Sequence, residues 1–251
     1  MNEYLKELKK IEFVVTDACT GRCKHCSQGE HDGKIERIDG EIAADAVRKI
    51  AARYKLETVM TFGGEPLLHL DAVCKIHAAA RDCGVMRRQV ITNGYVTSES
   101  AKIKDIAFRL ESSGVNDLLL SVDAFHQETI PIDIVSEFAH ALKDSGVNVR
   151  IQPAWLVSES HDNTYNNETK KLLRRFSEQG FEISKGNVVF PEGNALKYLG
   201  DYINLSEVIN PYVEDERNVR CVSFSANGDV LGGNVYKTDI LDILDEYAPE
   251  V

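Results

Sequence analysis

The sequence predicts an α/β fold, a partial (β/α)6 TIM-like barrel of parallel strands with a short C-terminal extension. Three observations carry this: six short apolar runs spaced along the chain, helical patterns in the intervals, and glycines where several of those patterns stop. The runs are IEFVVT (11–16), TVMTF (58–62), RQVITN (88–93), DLLLSV (117–122), VRIQPAWLV (149–157) and NVVF (187–190). They are rich in Val, Ile and Leu without clean alternation, as in strands covered on both faces. Helical patterns occupy 40–54, 69–83, 99–113, 131–145 and 166–179. Two of them run into ESSGVND and KDSGVNV, where glycine suits the left-handed residue that closes a helix.

Strand and helix in alternation mean βαβ units and a parallel sheet. Six units are too few to close an eight-stranded barrel, so an open barrel fits best, with a doubly wound sheet as the alternative. In either, the C-terminal ends of the strands share one rim, and ligands bind there. Residues 1–190 are expected to form the barrel. Residues 191–251 are expected as an extension capping its mouth: a loop and short helix (PEGNALKYLG), a hairpin turning at Asn227-Gly228 (CVSFSANGDVLGGN) and a terminal helix (KTDILDILDEY).

Composition narrows the function classes. The chain carries 29 basic and 40 acidic side chains in 251 residues, a net charge of −11, and shows no basic stripe, so nucleic acid is not the expected partner. No apolar run is long enough to span a membrane, and MNEYLKELKK is too charged for a signal peptide. A cytoplasmic, reducing location is expected. Clustered cysteines there point to metal or catalysis rather than to disulfides.

Three of the six cysteines, Cys19, Cys23 and Cys26, fall within CTGRCKHC, directly after the first strand and hence on the active rim. Thiolates are soft ligands for zinc or iron–sulfur clusters. One option is a zinc site completed by His25 or Cys221. The other is a four-iron cluster on three protein thiolates, with one iron left open for a small molecule. The second motif, TFGGEPLL (61–68), ends the second strand. Gly63 and Gly64 let backbone approach a ligand closely, Glu65 can accept from an ammonium group, and Pro66 fixes the exit into the next helix.

C-x3-C-x2-C after the first strand, followed by GGEP after the second, resembles the radical S-adenosylmethionine (radical SAM) superfamily over roughly 11–190. The resemblance implies a [4Fe–4S] cluster on Cys19, Cys23 and Cys26, with S-adenosyl-L-methionine chelating the open iron. It implies reductive cleavage to a 5′-deoxyadenosyl radical that abstracts hydrogen from a substrate, fed by an external one-electron donor such as flavodoxin or ferredoxin. It places His25 beside the adenine and Gly63 to Pro66 at the methionine ammonium group. Ser121 and Asp123, in LSVDAFH, resemble a Ser-x-Asp that contacts the ligand's polar parts, and Asn93, in ITNG, faces the same side.

Other residues are weaker candidates. Gln152 on the fifth strand is expected to be directed into the barrel, whereas Arg150 is either a carboxylate partner or a structural ion pair. His126 and His161 lie just beyond strand ends, where a histidine suits proton transfer. Cys74 and Cys83 fall on opposite faces of one helix and are expected as small packing residues. The tail resembles the start of the SPASM/Twitch-type extension in which peptide-modifying radical enzymes bind further clusters. It keeps Cys221 and NGDV, but LGGN replaces the next cysteine, and a Pro-x-Gly turn is kept in FPEGNA. One cluster is therefore expected, and a peptide or a small metabolite as substrate. With no added N-terminal domain, a leader peptide would need a separate partner. Two alternatives stand: an activating enzyme for a glycyl-radical protein, although VVTDAC lacks the glycine-rich lead-in, and a non-enzymatic zinc-binding module.

Overall fold

The computed structural model describes residues 2–31, 33, 35–203 and 215–249. The first half alternates strand and helix as expected: β1 (Lys10–Val14), α1 (Gly40–Arg53), β2 (Thr58–Phe62), α2 (Leu70–Asp82), β3 (Arg87–Thr92), α3 (Ser100–Ser112), β4 (Asp117–Ser121), a single turn α4 (Ala124–Gln127), α5 (Ile132–Ser145) and β5 (Asn148–Gln152). The second half is more broken: β6 (Ala154–Trp155), α6 (Thr164–Glu178), β7 (Glu182–Ile183), β8 (Asn187–Val188), α7 (Asn194–Leu199), β9 (Cys221–Phe224), β10 (Asp229–Val230), β11 (Gly233–Asn234) and α8 (Ile240–Glu246). Seven strands form one parallel sheet in the order β7-β5-β4-β3-β2-β1-β9. This is the partial α/β barrel that the sequence predicts.

Local chemistry sets the helix ends. The Asp39 side chain accepts from the N–H groups of Glu41 and Ile42, satisfying two of the free donors that open α1. Gly146, at φ +93°, closes α5 in the left-handed region. The buried faces of the helices meet one face of the sheet, where Ile11, Phe13, Val59, Val90, Leu118 and Ile151 all lie in a single core. Each such side chain stabilises the fold by about 1.5–3 kcal/mol.

The opposite face of the sheet is mixed: Met60 and Leu119 are buried there, in keeping with strands covered on both sides, but polar residues lie among them. Glu12, Gln89, Asp117 and Arg150 sit there. Asp117 accepts from Arg150 Nε at 3.0 Å, Arg150 Nη2 at 2.7 Å and Gln89 Nε2 at 2.6 Å. Arg150 is thus a structural ion-pair partner. The alternation is visible in β1, where Ile11 and Phe13 are buried and their neighbours are not. A barrel interior that stays open at one end has room for polar groups, and here they pair with one another.

Two further differences concern the last strands. The expected fifth strand is cut at Pro153, which has no N–H to give to a neighbour. The sixth begins earlier than expected, at Glu182, and bends at Gly186. Beyond the bends, β6 and β8 pair as a separate two-stranded piece. Pro153 O accepts from Asn187 N–H at 2.9 Å. A Cβ on Gly186 (φ +75°) would stand 2.4 Å from that same oxygen, so only glycine fits.

The tail also divides. Helix α7 lies near the cysteine loop, but Cys221–Phe224 does not fold back onto 229–234 as one long hairpin. It pairs with β1, Phe13 stacking on Phe224 at 4.5 Å between ring centres. Only β10 and β11 form a hairpin, and α8 packs on α1. Val222, Phe224, Ile240 and Leu244 belong to the same core as the barrel. Part of the expected segment, 204–214, lies outside the described residues.

Gly186→Ala should destabilise the protein by about 3 kcal/mol, because a backbone oxygen must move. Gly84→Ala has nearly the same φ, +73°, with nothing within 4 Å of the added carbon; it should cost only about 1 kcal/mol. Denaturant unfolding of the two variants measures the difference, and equal losses would mean that the kink at Pro153 and Gly186 is not held as described.

Candidate active site

The loop after β1 is fastened at both ends by backbone contacts. Thr16 O accepts from Gly64 N–H at 2.8 Å and Ala18 O from Glu65 N–H at 2.7 Å. These bonds bring the two loops so close that a Cβ on Gly64 would lie 2.3 Å from Ala18 O, and one on Gly63 2.6 Å from Thr16 O. Further along, Asn194 at the start of α7 closes the cysteine loop from the other side. Its Nδ2 donates to Cys23 O and Gly29 O, both at 3.2 Å, and its N–H donates to Cys26 O at 2.9 Å. The Pro-x-Gly turn singled out in the sequence is thereby a clamp on that loop.

Cys19, Cys23 and Cys26 line one cavity of about 300 Å³ at the C-terminal ends of the strands, together with His25, Gly63, Gly64, Asn93, Ser121, Asp123, His126 and Gln152. Cys19, Cys23 and Cys26 are free thiols. Burial pushes the Cys19 thiol up to about 11, with the nearby Glu65 and Cys26 adding to it. Burial pushes Cys23 higher still, and Asp123, Cys19 and Cys26 reinforce it. Cys26 goes the other way. Burial raises it, but hydrogen bonds from His31 and from the backbone of Gln28 and Gly29 outweigh that. Thiols that oppose one another's ionisation in a closed space are suited to a shared cationic centre, which reverses that repulsion.

His31 is the functional-site residue that the sequence did not reveal. Its Nε2 lies 3.4 Å from Cys26 Sγ and its Nδ1 2.7 Å from Asp17 O. It sits outside the C-x3-C-x2-C spacing, in a loop without periodicity. Its signal in the sequence is only a histidine five residues after the last thiol.

Several residues singled out in the sequence have settings that the sequence did not show. Glu65 does not face the cavity. It is fully buried, Oε1 accepting from Leu67 N–H at 3.0 Å and Thr92 Oγ1 at 2.7 Å, and Oε2 from Asn93 N–H at 2.8 Å. It ties the end of β2 to the end of β3, and Pro66 is likewise buried in the turn that follows. Asp123 borders the cavity, but its carboxylate is engaged by the protein. Oδ1 accepts from Phe125 and His126 N–H, and Oδ2 from Ala154 N–H and His126 Nδ1. Burial alone would raise its pKa, yet the facing His126 takes it down to about 2. His161 is exposed in a loop and does not line the cavity. Cys83 is exposed rather than packed, while Cys74 is partly buried.

The other candidates come together. Asn93 donates to Thr20 Oγ1 at 3.1 Å and lies 3.6 Å from Cys19 Sγ. Ser121 and Gln152 are register partners on β4 and β5, and Gln152 accepts from Ser184. His25 stacks on Phe125 at 4.9 Å, and burial lowers its pKa to about 4. Cys221 opposes Lys10, at the far end of β1 from the cysteine loop. Four residue steps of strand, about 13 Å, separate those ends, which removes Cys221 as a fourth ligand.

Free thiols over a cavity at the C-terminal rim of a parallel barrel, flanked by glycine backbone, form a donor set that could hold a metal–thiolate centre. Comparison with known proteins gives the family: the radical SAM superfamily model matches residues 13–205, and the chain belongs to that superfamily. A probable GTP 3′,8-cyclase of Saccharolobus islandicus is 21% identical over an alignment covering 100% of this chain and 92% of the relative. Another, of Methanocaldococcus jannaschii, is 24% identical over 51% of this chain and only 40% of its own length. SuiB of Streptococcus suis, bound to S-adenosylmethionine, superposes with a TM-score of 0.66 at 14% identity, covering 96% of this chain and 66% of that one. Native anSMEcpe with bound AdoMet gives 0.63 at 14% identity, covering 96% and 80%. Likeness at this identity establishes the shared fold. Among the described residues, no helix is long and apolar enough to cross a membrane.

Glu65→Ala should cost about 3 kcal/mol of stability, since three buried donors lose their acceptor. Burial also raises the Glu65 pKa from 4.5 to about 7. The folded state then holds a proton that the unfolded state has released between those values, so this group's contribution to stability falls as pH rises from 4.5 to 7. Glu65→Gln should flatten that slope. Unfolding midpoints at pH 5 and pH 8 for both proteins test it, and parallel curves would contradict the assignment.

Proposed function

We propose that the protein is a radical SAM enzyme carrying one [4Fe–4S] cluster on Cys19, Cys23 and Cys26 and acting on a peptide or small-metabolite substrate. The observation that carries this reading is the gathering of three free thiols, Gly63, Gly64, Asn93, Ser121 and Gln152 around one cavity. The donor set fits the group: three sulfurs, held by a loop whose conformation Asn194 and the two glycines fix without using the thiols themselves.

When bound, the cluster and S-adenosyl-L-methionine supply one-electron cleavage of a sulfonium to a 5′-deoxyadenosyl radical, which takes a hydrogen atom from substrate. The chain's own residues bind and orient. The Gly63-Gly64 backbone borders the cavity because nothing larger fits beside Thr16 and Ala18. Asn93 steadies the Cys19 end of the loop. Ser121 and Gln152 offer hydrogen-bonding groups from neighbouring strands at the cavity floor. His126, anchored by Asp123 at 2.8 Å, faces the same space and suits proton transfer to or from substrate.

A peptide substrate is supported by the resemblance of fold to SuiB, also solved bound to its precursor peptide, and to anSMEcpe, solved with peptides. A nucleotide-sized metabolite is supported by the sequence relatives named GTP 3′,8-cyclase. An external low-potential donor of the flavodoxin or ferredoxin kind completes the reading.

The test is anaerobic reconstitution with iron and sulfide, followed by reduction with S-adenosyl-L-methionine present. Wild-type protein should hold about four irons and release 5′-deoxyadenosine. Cys23→Ala should lose both. Cys221→Ser should keep its full iron content, because that thiol stands at the other end of β1. Colourless protein that holds no iron and sulfide, or a cluster that never cleaves the sulfonium, would refute the proposal.

Asn194→Ala removes the side-chain half of the clamp but no metal ligand. The loaded variant should lose its cluster several-fold faster than wild type when challenged with a chelator, which the decay of the visible absorption measures. Equal decay would show that α7 does not steady the loop.

A further inference from the structure

We propose that Cys23, His25 and His126 form a second, alternative metal site, for a single divalent transition ion of the zinc class. One ligand atom from each of these three residues lies within 4.8 Å of the others. The set draws on two separate elements, the cysteine loop and α4, and it excludes Cys19 and Cys26.

Two further observations indicate a ligand. His25 Nδ1 is buried and has no hydrogen-bond partner, an arrangement that costs free energy unless something fills it. His126 is prepared as metal-binding imidazoles are. Its Nδ1 is held by Asp123 Oδ2 at 2.8 Å, which leaves Nε2 for another partner. Asp123 is itself fixed by the N–H groups of Phe125, His126 and Ala154. The two imidazole rings meet edge to face at 69° with centres 4.7 Å apart, so they present themselves in different planes.

One thiolate and two imidazoles make a donor set suited to zinc, with a fourth position left for water or an exogenous ligand. Binding releases the Cys23 thiol proton to solvent and involves no change of oxidation state. Because Cys23 serves both arrangements, an ion seated here and a cluster on the three cysteines exclude one another; this exclusion rests on the cluster reading above, whereas the site itself does not. The consequence is a two-way choice of metal at one thiol.

The experiment uses iron-free, anaerobically purified full-length protein titrated with Co²⁺, a spectroscopic stand-in for Zn²⁺. One equivalent should bind, with visible d–d bands and a sulfur-to-cobalt charge-transfer band. His25→Ala and His126→Ala should each weaken binding by about tenfold or more, whereas Cys19→Ser and Cys26→Ser should leave it within about twofold. Loss in the cysteine variants with retention in the histidine variants would overturn the proposal. X-ray absorption of the zinc-loaded wild-type protein decides independently of how the variants fold. One sulfur with two imidazole nitrogens supports the site, and three sulfurs refute it. Zinc loaded beforehand should slow iron and sulfide uptake about tenfold in wild type but not in His126→Ala. Cobalt binding at this site in a protein that never takes up iron and sulfide would sink the cluster reading and leave this one standing.

Discussion

The backbone contact between the first two loops is the constraint on which the site depends. Gly64 N–H to Thr16 O and Glu65 N–H to Ala18 O set the spacing of the cysteine loop from the end of β2. Side chains at 63 and 64 are excluded by distance, not by chemistry. The glycines thus act first on the protein and only then on a ligand. The buried Glu65 holds the same junction from below by binding the end of β3. A carboxylate in this position is costly to ionise, and three hydrogen bonds offset part of that cost.

A second layer of organisation lies around α4. Asp123 caps the short helix, orients His126 and receives the N–H of Ala154 just after the break at Pro153. One carboxylate therefore links the ends of β4 and β5 to the ring that faces the cavity. His25, Phe125 and Tyr165 stack in sequence beside it, at 4.9 and 4.6 Å. Of these three rings His25 borders the cavity, as does the backbone of Gly63 and Gly64, while Phe125 and Tyr165 back it from behind.

Much of this was legible in the sequence. Cys19, Cys23 and Cys26, the two glycines and the five helices could be placed because each rests on spacing or period, which are local properties. Glu65 was legible as a residue and not as a role, since whether a carboxylate faces ligand or core depends on what Thr92 and Asn93 offer it from another strand. His31 and the Asn194 clamp were invisible for the same reason. Their partners are Cys26 and the cysteine loop, brought to them by loops with no pattern. The interruption of the last strands was written in Pro153 and Gly186, but the pairing of β9 with β1 was not, because a short apolar run carries no record of its neighbour.

Asn194 meets Cys23 across 171 residues of chain, and β9 joins β1 from still further away. A nascent chain leaving the ribosome exposes its thiols well before the segment that shapes their loop is made. The outer edge of β1 likewise waits for β9. A product truncated before Asn194 would display its thiols without a properly formed cradle.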